Sequence, residues 1–168
     1  MAEKTAIAEK QIVVFALGDE TYGVDISSVR EIIQMQAITK IPGSVHSVEG
    51  VINLRGSVIP VVDLRTRFRM DKSPYTGDTR IVVVNSRGRD VGIIVDLVDE
   101  VLRISMDTIE PTTDLLAGER SKSLSGIVKM ADRLIILLDL DEVLSKESMN
   151  DLIEEAKETD DSEKLQAS

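Results

Sequence analysis

The stretch IVVFALGDETYGVDISSVREI, residues 12–32, occurs twice in this sequence. It aligns without gaps on IVVVNSRGRDVGIIVDLVDEV, residues 81–101, with six of 21 positions identical and five exchanging one apolar residue for another. The identical positions include Gly23 with Gly92, Val29 with Val98, and Glu31 with Glu100. A second block, GVINLRGSVIPVVDL (residues 50–64), aligns on GIVKMADRLIILLDL (residues 126–140) with four identities and six apolar exchanges in 15 positions. We therefore predict a duplicated structural unit.

Each copy begins with a pattern that is typical of a β-hairpin. Short runs rich in β-branched residues lie at Ile12–Leu17 and Ile81–Val84. They are followed by Gly18-Asp19 and Arg87-Gly88, which are turn signals between two strands. The repeat therefore predicts one hairpin near the start of each half.

The second block of each copy contains a nearly continuous apolar run, at Val58–Val62 and Leu134–Leu138. These runs lack period-2 alternation, as expected of strands covered on both faces. We predict a mostly β fold, with two pseudo-repeated barrels of about five short strands each packed together, short helices, and a C-terminal helix.

Helical signals are few. Ser28 and Glu31 have capping-box spacing and predict a short helix, with Asp96–Val101 as its counterpart in the second copy. The later copy has seven extra residues, which fall at residues 102–125 and predict a long loop. At the C-terminus, helical spacing of apolar residues predicts an amphipathic helix; these residues are Met149, Leu152, Ile153 and Ala156.

The expected organisation follows from these patterns. An N-terminal arm (residues 1–10) precedes one folded domain at residues 11–145, with a first half at about 11–78 and a second at about 79–140. Whether strands exchange between the halves stays open. The C-terminal helix spans residues 146–157, and a polar, acidic tail at residues 158–168 is predicted to be disordered.

Composition excludes several classes of protein. The chain has 168 residues, no cysteine and a net charge of −10, of which −6 falls in residues 147–168. Without cysteine there are no disulfides and no thiolate metal sites. The longest apolar run, Ile12–Leu17, is too short for a membrane span, and the N-terminus lacks the apolar core of a signal peptide. We expect a soluble, cytoplasmic protein that does not insert into membranes.

Nucleic-acid binding is disfavoured by the same composition. An acidic body and tail repel phosphate groups. Two phenylalanines, two tyrosines and no tryptophan are too few for a base-stacking surface.

Enzymatic chemistry finds little support. His46 is the single histidine, and no nucleophile elbow or phosphate-binding loop accompanies it. The acids Asp139, Asp141 and Glu142 follow a strand and precede a helix start, where carboxylates commonly cap helices; the same interpretation covers Asp63. An enzyme using His46 and the Asp139 cluster is retained as the weakest alternative, and no cofactor or metal is expected.

A binding surface is the better prediction, and the repeat indicates where it lies. Asn53-Leu54-Arg55-Gly56 in the first copy becomes Lys129-Met130-Ala131-Asp132 in the second, while the flanking strands keep their apolar pattern. Strands preserve packing, whereas loops carry function. Arginine suits a contact because its planar fork grips a carboxylate bidentately, although a solvated arginine in a turn is the simpler alternative.

The sequence resembles the CheW family, the chemotaxis coupling proteins. The resemblance covers about residues 11–144 and rests on GVDISSVREII (23–33), IPGSVHSVEGVINLRGSVIPVVDLR (41–65), VGIIVDLVDEVLRI (91–104) and GIVKMADRLIILLDL (126–140). It implies two five-stranded SH3-like or OB-like barrels around a shared hydrophobic centre. It also implies a non-enzymatic adaptor that couples the cytoplasmic tips of transmembrane chemoreceptors to the histidine kinase CheA.

The resemblance also implies site residues. Positions matching the family's receptor-binding surface are Val29, Gly50, Arg55 and Val101, with Asn53 and Leu54 as neighbours. For contact with the regulatory domain of CheA, the expected residues are Glu31, Ile38, Ile41 and Pro42. Ordinary core packing remains the alternative for Val29 and Val101, backbone geometry for Gly50, and an ordinary loop for the kinase set.

Assembly is expected to depend on partners. The protein is predicted to be a monomer in isolation and to form higher-order arrays with receptors and kinase, since like barrels can pair end to end. A β-barrel that binds a small molecule is the alternative function, although continuous apolar strands favour filled interiors.

Overall fold

The computed structural model describes residues 8–43, 47–111 and 123–144. The strands are β1 (Glu9–Leu17), β2 (Glu20–Asp25), β3 (Val29–Gln34), β4 (Val48–Leu54), β5 (Ser57–Asp63), β6 (Arg80–Ser86), β7 (Arg89–Val95), β8 (Leu97–Ser105), β9 (Ile109–Glu110), β10 (Leu124–Lys129) and β11 (Leu134–Leu138). The helices are α1 (Leu64–Arg67) and α2 (Leu140–Val143), with 3-10 turns at Ile26–Ser28 and Met106–Thr108.

The strands form two sheets, and each sheet takes strands from both copies of the repeat. One sheet has the order β8-β1-β2-β11-β10-β9 and the other β3-β6-β7-β5-β4. The exchange is reciprocal: β8 pairs antiparallel with β1 as β3 pairs with β6, and β11 runs parallel to β2 as β5 runs parallel to β7. The hairpin that opens each copy therefore completes the sheet of the other copy.

Three clusters of buried apolar side chains account for the two-barrel architecture. One lies within the first sheet and includes Ile12, Val14 and Ile135; a second lies within the other sheet and includes Ile52, Val61 and Ile81. The largest cluster is shared between the sheets and contains Val13, Phe15, Leu17, Tyr22, Val24, Val62, Leu64, Phe68, Val82, Val84, Val91, Ile93, Val95, Leu138, Leu140 and Val143. The predicted fold class is confirmed, including the shared hydrophobic centre.

Three aromatic rings stack within the shared core. The ring centroids of Phe15 and Tyr22 are 6.1 Å apart, and those of Tyr22 and Phe68 are 5.7 Å apart. Phe68 caps the C-terminal end of α1, so this stack joins β1 and β2 to the helix that follows β5.

The two predicted hairpins form as expected. Gly18 supplies a positive φ of 61° between β1 and β2, and Arg87 and Gly88 have φ of 51° and 82° between β6 and β7. Positive φ at both central residues, as at Arg87 and Gly88, is what a type I′ turn requires, and a positive φ at the first central residue alone, as at Gly18, is what a type II′ turn requires.

The apolar runs in β5 and β11 are covered on both faces only toward their C-terminal ends. Val61 and Val62 are buried, as are Leu137 and Leu138. At the N-terminal ends, however, the equivalent residues Val58 and Leu134 are 68% and 55% exposed. The prediction of complete coverage was wrong for these first residues, which lie beside the hairpin tips rather than within the cores.

The predicted helix at Ser28–Glu31 is not formed. Ile26–Ser28 is a 3-10 turn capped by the Asp25 side chain, and β3 begins at Val29. Its second-copy counterpart at Asp96–Val101 is likewise mostly strand, since β8 begins at Leu97. Pairing of β3 with β6 and of β8 with β1 satisfies the backbone of β-branched residues, and this long-range pairing outweighs a local capping signal.

The carboxylates near the strand ends cap helices, as predicted. The Asp63 side chain accepts a hydrogen bond from the N–H of Arg65 at 2.9 Å, and the Asp139 side chain accepts one from the N–H of Glu142 at 3.3 Å. In the part of the chain that is described, no group of three or more potential ligand side chains could hold a metal ion.

Some predictions fall outside the described residues. These are the region around His46, the C-terminal helix and the acidic tail.

The predicted long loop at residues 102–125 begins instead as β-structure, because β8 continues to Ser105 and β9 follows the second 3-10 turn. Residues 112–122 of that segment are not described.

Asp96, between β7 and β8, ties three parts of the fold together. Its carboxylate accepts hydrogen bonds from Arg65 of α1, one of them at 2.9 Å, and from the N–H of Gly18 at 2.7 Å. The guanidinium of Arg65 holds the pKa of the Asp96 carboxyl below its ordinary value of 3.8. The charged carboxylate is therefore favoured in the folded state.

Replacement of Asp96 by asparagine should reveal this linkage as a pH-dependent stability difference. A depressed folded-state pKa stabilises the protein above the unfolded-state pKa, and this stabilisation is lost as pH falls through the folded-state value. We expect Asp96→Asn to unfold at lower urea concentration than wild type at pH 7, and the difference to shrink as the pH falls below about 4. Asp19→Asn, in an exposed turn, is the control; a difference that grows toward low pH would contradict the assignment.

Candidate functional site

The tip predicted to carry a contact is a tight turn between β4 and β5. Arg55 and Gly56 occupy its centre with φ of 52° and 89°. The side-chain oxygen of Asn53 accepts a hydrogen bond from the N–H of Gly56 at 2.8 Å, and Leu54 packs against the core of the five-stranded sheet. Asn53 and Leu54 thus shape and anchor the turn that projects Arg55.

Arg55 forms a bidentate ion pair with Glu31. Nη1 donates to Oε1 at 3.2 Å and Nη2 donates to Oε2. The hydrogen bond to Glu31 raises the pKa of the Arg55 guanidinium. The arginine side chain stays 70% exposed, whereas that of Glu31 is 27% exposed. The pair joins β3 to the β4–β5 tip, which belong to opposite edges of the five-stranded sheet.

This contact connects the two predicted surfaces. The resemblance predicts Arg55 on the receptor side and Glu31 on the kinase side, and the structure brings their charged groups together. A fork-to-fork pair between an arginine and a carboxylate has defined geometry, so each side chain fixes the orientation of the other.

Gly50 lies buried beneath the segment that follows β3. It has a φ of +153°, and a β-carbon there would lie 2.2 Å from the carbonyl oxygen of Thr39. Thr39 and Val51 exchange two backbone hydrogen bonds of 2.9 Å at this point. The absence of a side chain at Gly50 therefore allows residues 35–43 to pack on β4.

The remaining kinase-side residues lie on this packed segment. Ile38 is half-buried against the core of the five-stranded sheet, whereas Ile41 is 44% exposed and Pro42 is also exposed. Gly50, placed on the receptor side by sequence, thus supports the segment that bears Ile38 and Ile41.

The two valines occupy edge strands of different sheets. Val29 begins β3 and packs, half-buried, against the shared core. Val101 lies on β8 and is 49% exposed. Val101 is therefore available for contact as it stands, while Val29 contributes to packing between the sheets.

A shallow cleft of about 580 Å³ lies beside the same segment. Its lining residues are Met35, Gln36, Ile38, Lys40, Glu49, Lys72, Ser73, Pro74 and Tyr75. Lys72 Nζ lies 2.8 Å from a carboxylate oxygen of Glu49, and the Tyr75 hydroxyl donates to buried Asp63 at 3.4 Å. Burial raises the pKa of Asp63, and burial together with Asp63 raises that of Tyr75. These polar groups satisfy one another.

Comparison with known proteins identifies the family. The model of the CheW-like domain matches residues 11–148. The chain belongs to the CheW family. Among its relatives, the chemotaxis protein CheW of Klebsiella aerogenes is 35% identical over 140 residues, covering 83% of this chain and 84% of that protein. The chemotaxis protein CheW of Bacillus subtilis is 34% identical over 139 residues, covering 83% and 89%.

A solved structure agrees with this assignment. The scaffolding protein TtCheW from Thermoanaerobacter tengcongensis superposes with a TM-score of 0.77 at 39% sequence identity, over 84% of this chain and 96% of that one. The intertwined two-sheet fold described above is therefore shared with a CheW protein. Among the described residues, no helix is long and apolar enough to span a membrane.

One feature of the CheW-like domain escaped the sequence comparison. The β10–β11 turn has Ala131 at the position equivalent to Arg55. It nevertheless places another arginine against Glu100, the equivalent of Glu31. Arg133 lies two positions later than expected and donates to Glu100 at 2.6 Å. The identity of Glu31 and Glu100 in the repeat was the available signal, but the two-residue shift concealed the partner.

Replacement of Gly50 by alanine should displace the segment at residues 35–43. A β-carbon cannot fit 2.2 Å from the Thr39 oxygen, so the Thr39–Val51 bridge must open. We expect a loss of about 1–3 kcal/mol in the free energy of unfolding, together with faster amide exchange at Thr39 and Val51. Denaturant titration and hydrogen exchange measure both effects.

Gly77→Ala is the matched control for this substitution, because nothing lies within 4 Å of the added β-carbon. Equal stability of the Gly50→Ala and Gly77→Ala variants would show that the close approach at Thr39 is not a constraint on the fold.

Proposed function

We propose that this chain is a non-enzymatic scaffold of bacterial chemotaxis that couples transmembrane chemoreceptors to the histidine kinase CheA. Its similarity to chemotaxis proteins CheW and to the scaffolding protein TtCheW supports this role. The observation that carries the coupling is the Arg55–Glu31 ion pair, since it joins one residue of each expected contact surface. The protein acts in the cytoplasm and is brought to the membrane by its receptors.

The receptor surface comprises the β4–β5 tip and the exposed edge of β8. Arg55 offers a guanidinium that is 70% exposed, and Val101 offers an apolar side chain that is 49% exposed. A receptor tip is a helical hairpin, and helices bind through an apolar stripe with polar contacts at its margin. Asn53 and Leu54 shape the turn that presents Arg55, whereas Val29 packs between the sheets and Gly50 supports the neighbouring segment at residues 35–43.

The kinase surface comprises Glu31 and the segment with Ile38, Ile41 and Pro42. Ile41 and Pro42 present an exposed apolar patch on a segment held in place at Thr39. The regulatory domain of CheA, which resembles this fold, provides a partner of matching architecture. Contacts of this kind at both ends of the molecule would allow coupler and kinase to alternate in larger arrays.

Coupling follows from competition for one carboxylate–guanidinium contact. A receptor acid that binds Arg55 weakens its hold on Glu31, which frees Glu31 on the kinase side. By thermodynamic reciprocity, kinase binding at Glu31 must change receptor affinity by the same factor. This mechanism uses no bond-making chemistry.

The small-molecule alternative is not favoured. The interiors of both sheets are filled by side chains such as Ile12, Ile135, Val61 and Ile81, each 0% exposed. The enzyme alternative included Asp139 in its candidate site. The side chain of Asp139 caps helix α2, which is a structural role.

Titration calorimetry with Arg55→Glu tests the proposal. The partners are a receptor cytoplasmic fragment and, separately, the CheA regulatory domain. We expect wild type to bind both, and Arg55→Glu to lose receptor affinity by about tenfold or more, because a negative charge replaces the anchoring cation. Circular dichroism verifies folding of each variant.

The β6–β7 hairpin provides a matched control. Arg87 has nearly the same φ as Arg55, 51° against 52°, and Asn85 accepts from Gly88 N–H as Asn53 accepts from Gly56. Arg87→Glu should therefore leave receptor binding unchanged. Absence of binding by folded wild type to either partner at ~100 µM would overturn the proposed function.

A further inference from the structure

Arg133 grips two acidic residues of one edge strand. From the β10–β11 turn, its Nη1 donates to Asp99 at 2.5 Å and its Nη2 donates to Glu100 at 2.6 Å. Both acceptors belong to β8, the edge strand of the six-stranded sheet. The Arg133 backbone carbonyl also accepts from Met130 N–H at 2.8 Å, so the same residue closes its own turn.

The two acids lie at an irregularity in β8. Val14 pairs with Glu100 and Phe15 pairs with Val98, so Asp99 is the extra residue of a β-bulge. The equivalent residue of the other copy is Arg30, which is the extra residue between Val29 and Glu31 in β3. Bulges bend a strand and re-aim its side chains.

The bulge residue explains why the two arginines behave differently. In β3 it is a cation, Arg30, which pairs with Asp90, so among the carboxylates of the described residues Arg55 pairs with Glu31 alone. In β8 it is an anion, so Arg133 holds two carboxylates. Its side chain is accordingly 27% exposed against 70% for Arg55. Arg55 is accessible to a partner, whereas Arg133 is engaged within the protein.

Val101 directly follows the gripped residues. It lies one position after Glu100, is 49% exposed, and sits opposite Val13 of β1. An edge strand is held by a ladder on one side only, and a bulge weakens that ladder locally. The ion pairs of Arg133 with Asp99 and Glu100 attach β8 a second time to the rest of the sheet, next to Val101.

We propose that Arg133 is a positioning residue for receptor binding, holding the bulge of β8 so that Val101 keeps its place on the exposed edge of the six-stranded sheet. The inference rests on the proposed function, because it concerns the receptor surface assigned there. In this proposal the ion pairs of Arg133 stay formed when the receptor binds. The equivalent ion pair of Arg55, in the other copy of the repeat, is released.

The test compares Arg133→Ala and Arg133→Lys with wild type. We expect Arg133→Ala to bind the receptor fragment about fivefold more weakly and the CheA regulatory domain with unchanged affinity. Lysine lacks the fork that reaches both acids, so Arg133→Lys should fall between the two. Hydrogen exchange of the β8 amides should quicken in Arg133→Ala and remain unchanged in the control Arg87→Ala.

A charge exchange separates positioning from general stability. Arg133→Glu combined with Glu100→Arg should restore receptor affinity relative to Arg133→Glu alone. Receptor affinity unchanged in Arg133→Ala, or an equal loss for both partners, would overturn the positioning role. Failure of wild type to bind receptor would instead overturn the proposed function, while the β8 exchange rates would still show whether Arg133 holds the strand.

Discussion

The burial of one apolar face of each sheet against the other is the interaction on which the rest of this structure depends. The shared cluster draws side chains from β1 and β2 on one side and from β5, β6 and β7 on the other, with the stacked rings of Phe15, Tyr22 and Phe68 within it. Because each opening hairpin completes the sheet of the opposite copy, neither copy closes its sheet alone. The two sheets therefore depend on strands from both copies and share one close-packed core.

The edge strands left by this exchange carry the contact residues that we propose. In each copy a bulged edge strand carries a glutamate, Glu31 or Glu100, and a hairpin tip supplies an arginine to it. A single difference in charge at the bulge, Arg30 against Asp99, leaves one arginine exposed and engages the other twice. Duplication thus yields two similar contacts, in which Arg55 pairs with one carboxylate and Arg133 with two.

Much of the fold could be predicted from the sequence because its decisive features are local or repeated. The hairpins follow from β-branched runs and turn residues, and Asp63 and Asp139 cap helices where strands end. The capping signal at Ser28 failed because pairing of β3 with β6, distant in sequence, satisfies the same backbone groups better. Of the candidate site, the tip at Arg55 was predictable from divergence within the repeat, but its pairing with Glu31 was not, since side chains 24 residues apart are brought together only by the closure of the sheet.

By itself, the sequence determined that the chain is a duplicated β protein and where its two opening hairpins lie, because β-branched runs and turn chemistry act over a few neighbouring residues. Tertiary structure alone decided which hairpin joins which sheet, why Gly50 must lack a side chain, and which arginine holds one carboxylate or two. Those outcomes depend on distances between segments far apart in the chain, such as the Thr39 oxygen above Gly50. No local pattern encodes such distances; they follow from the packing of the two sheets on their common core.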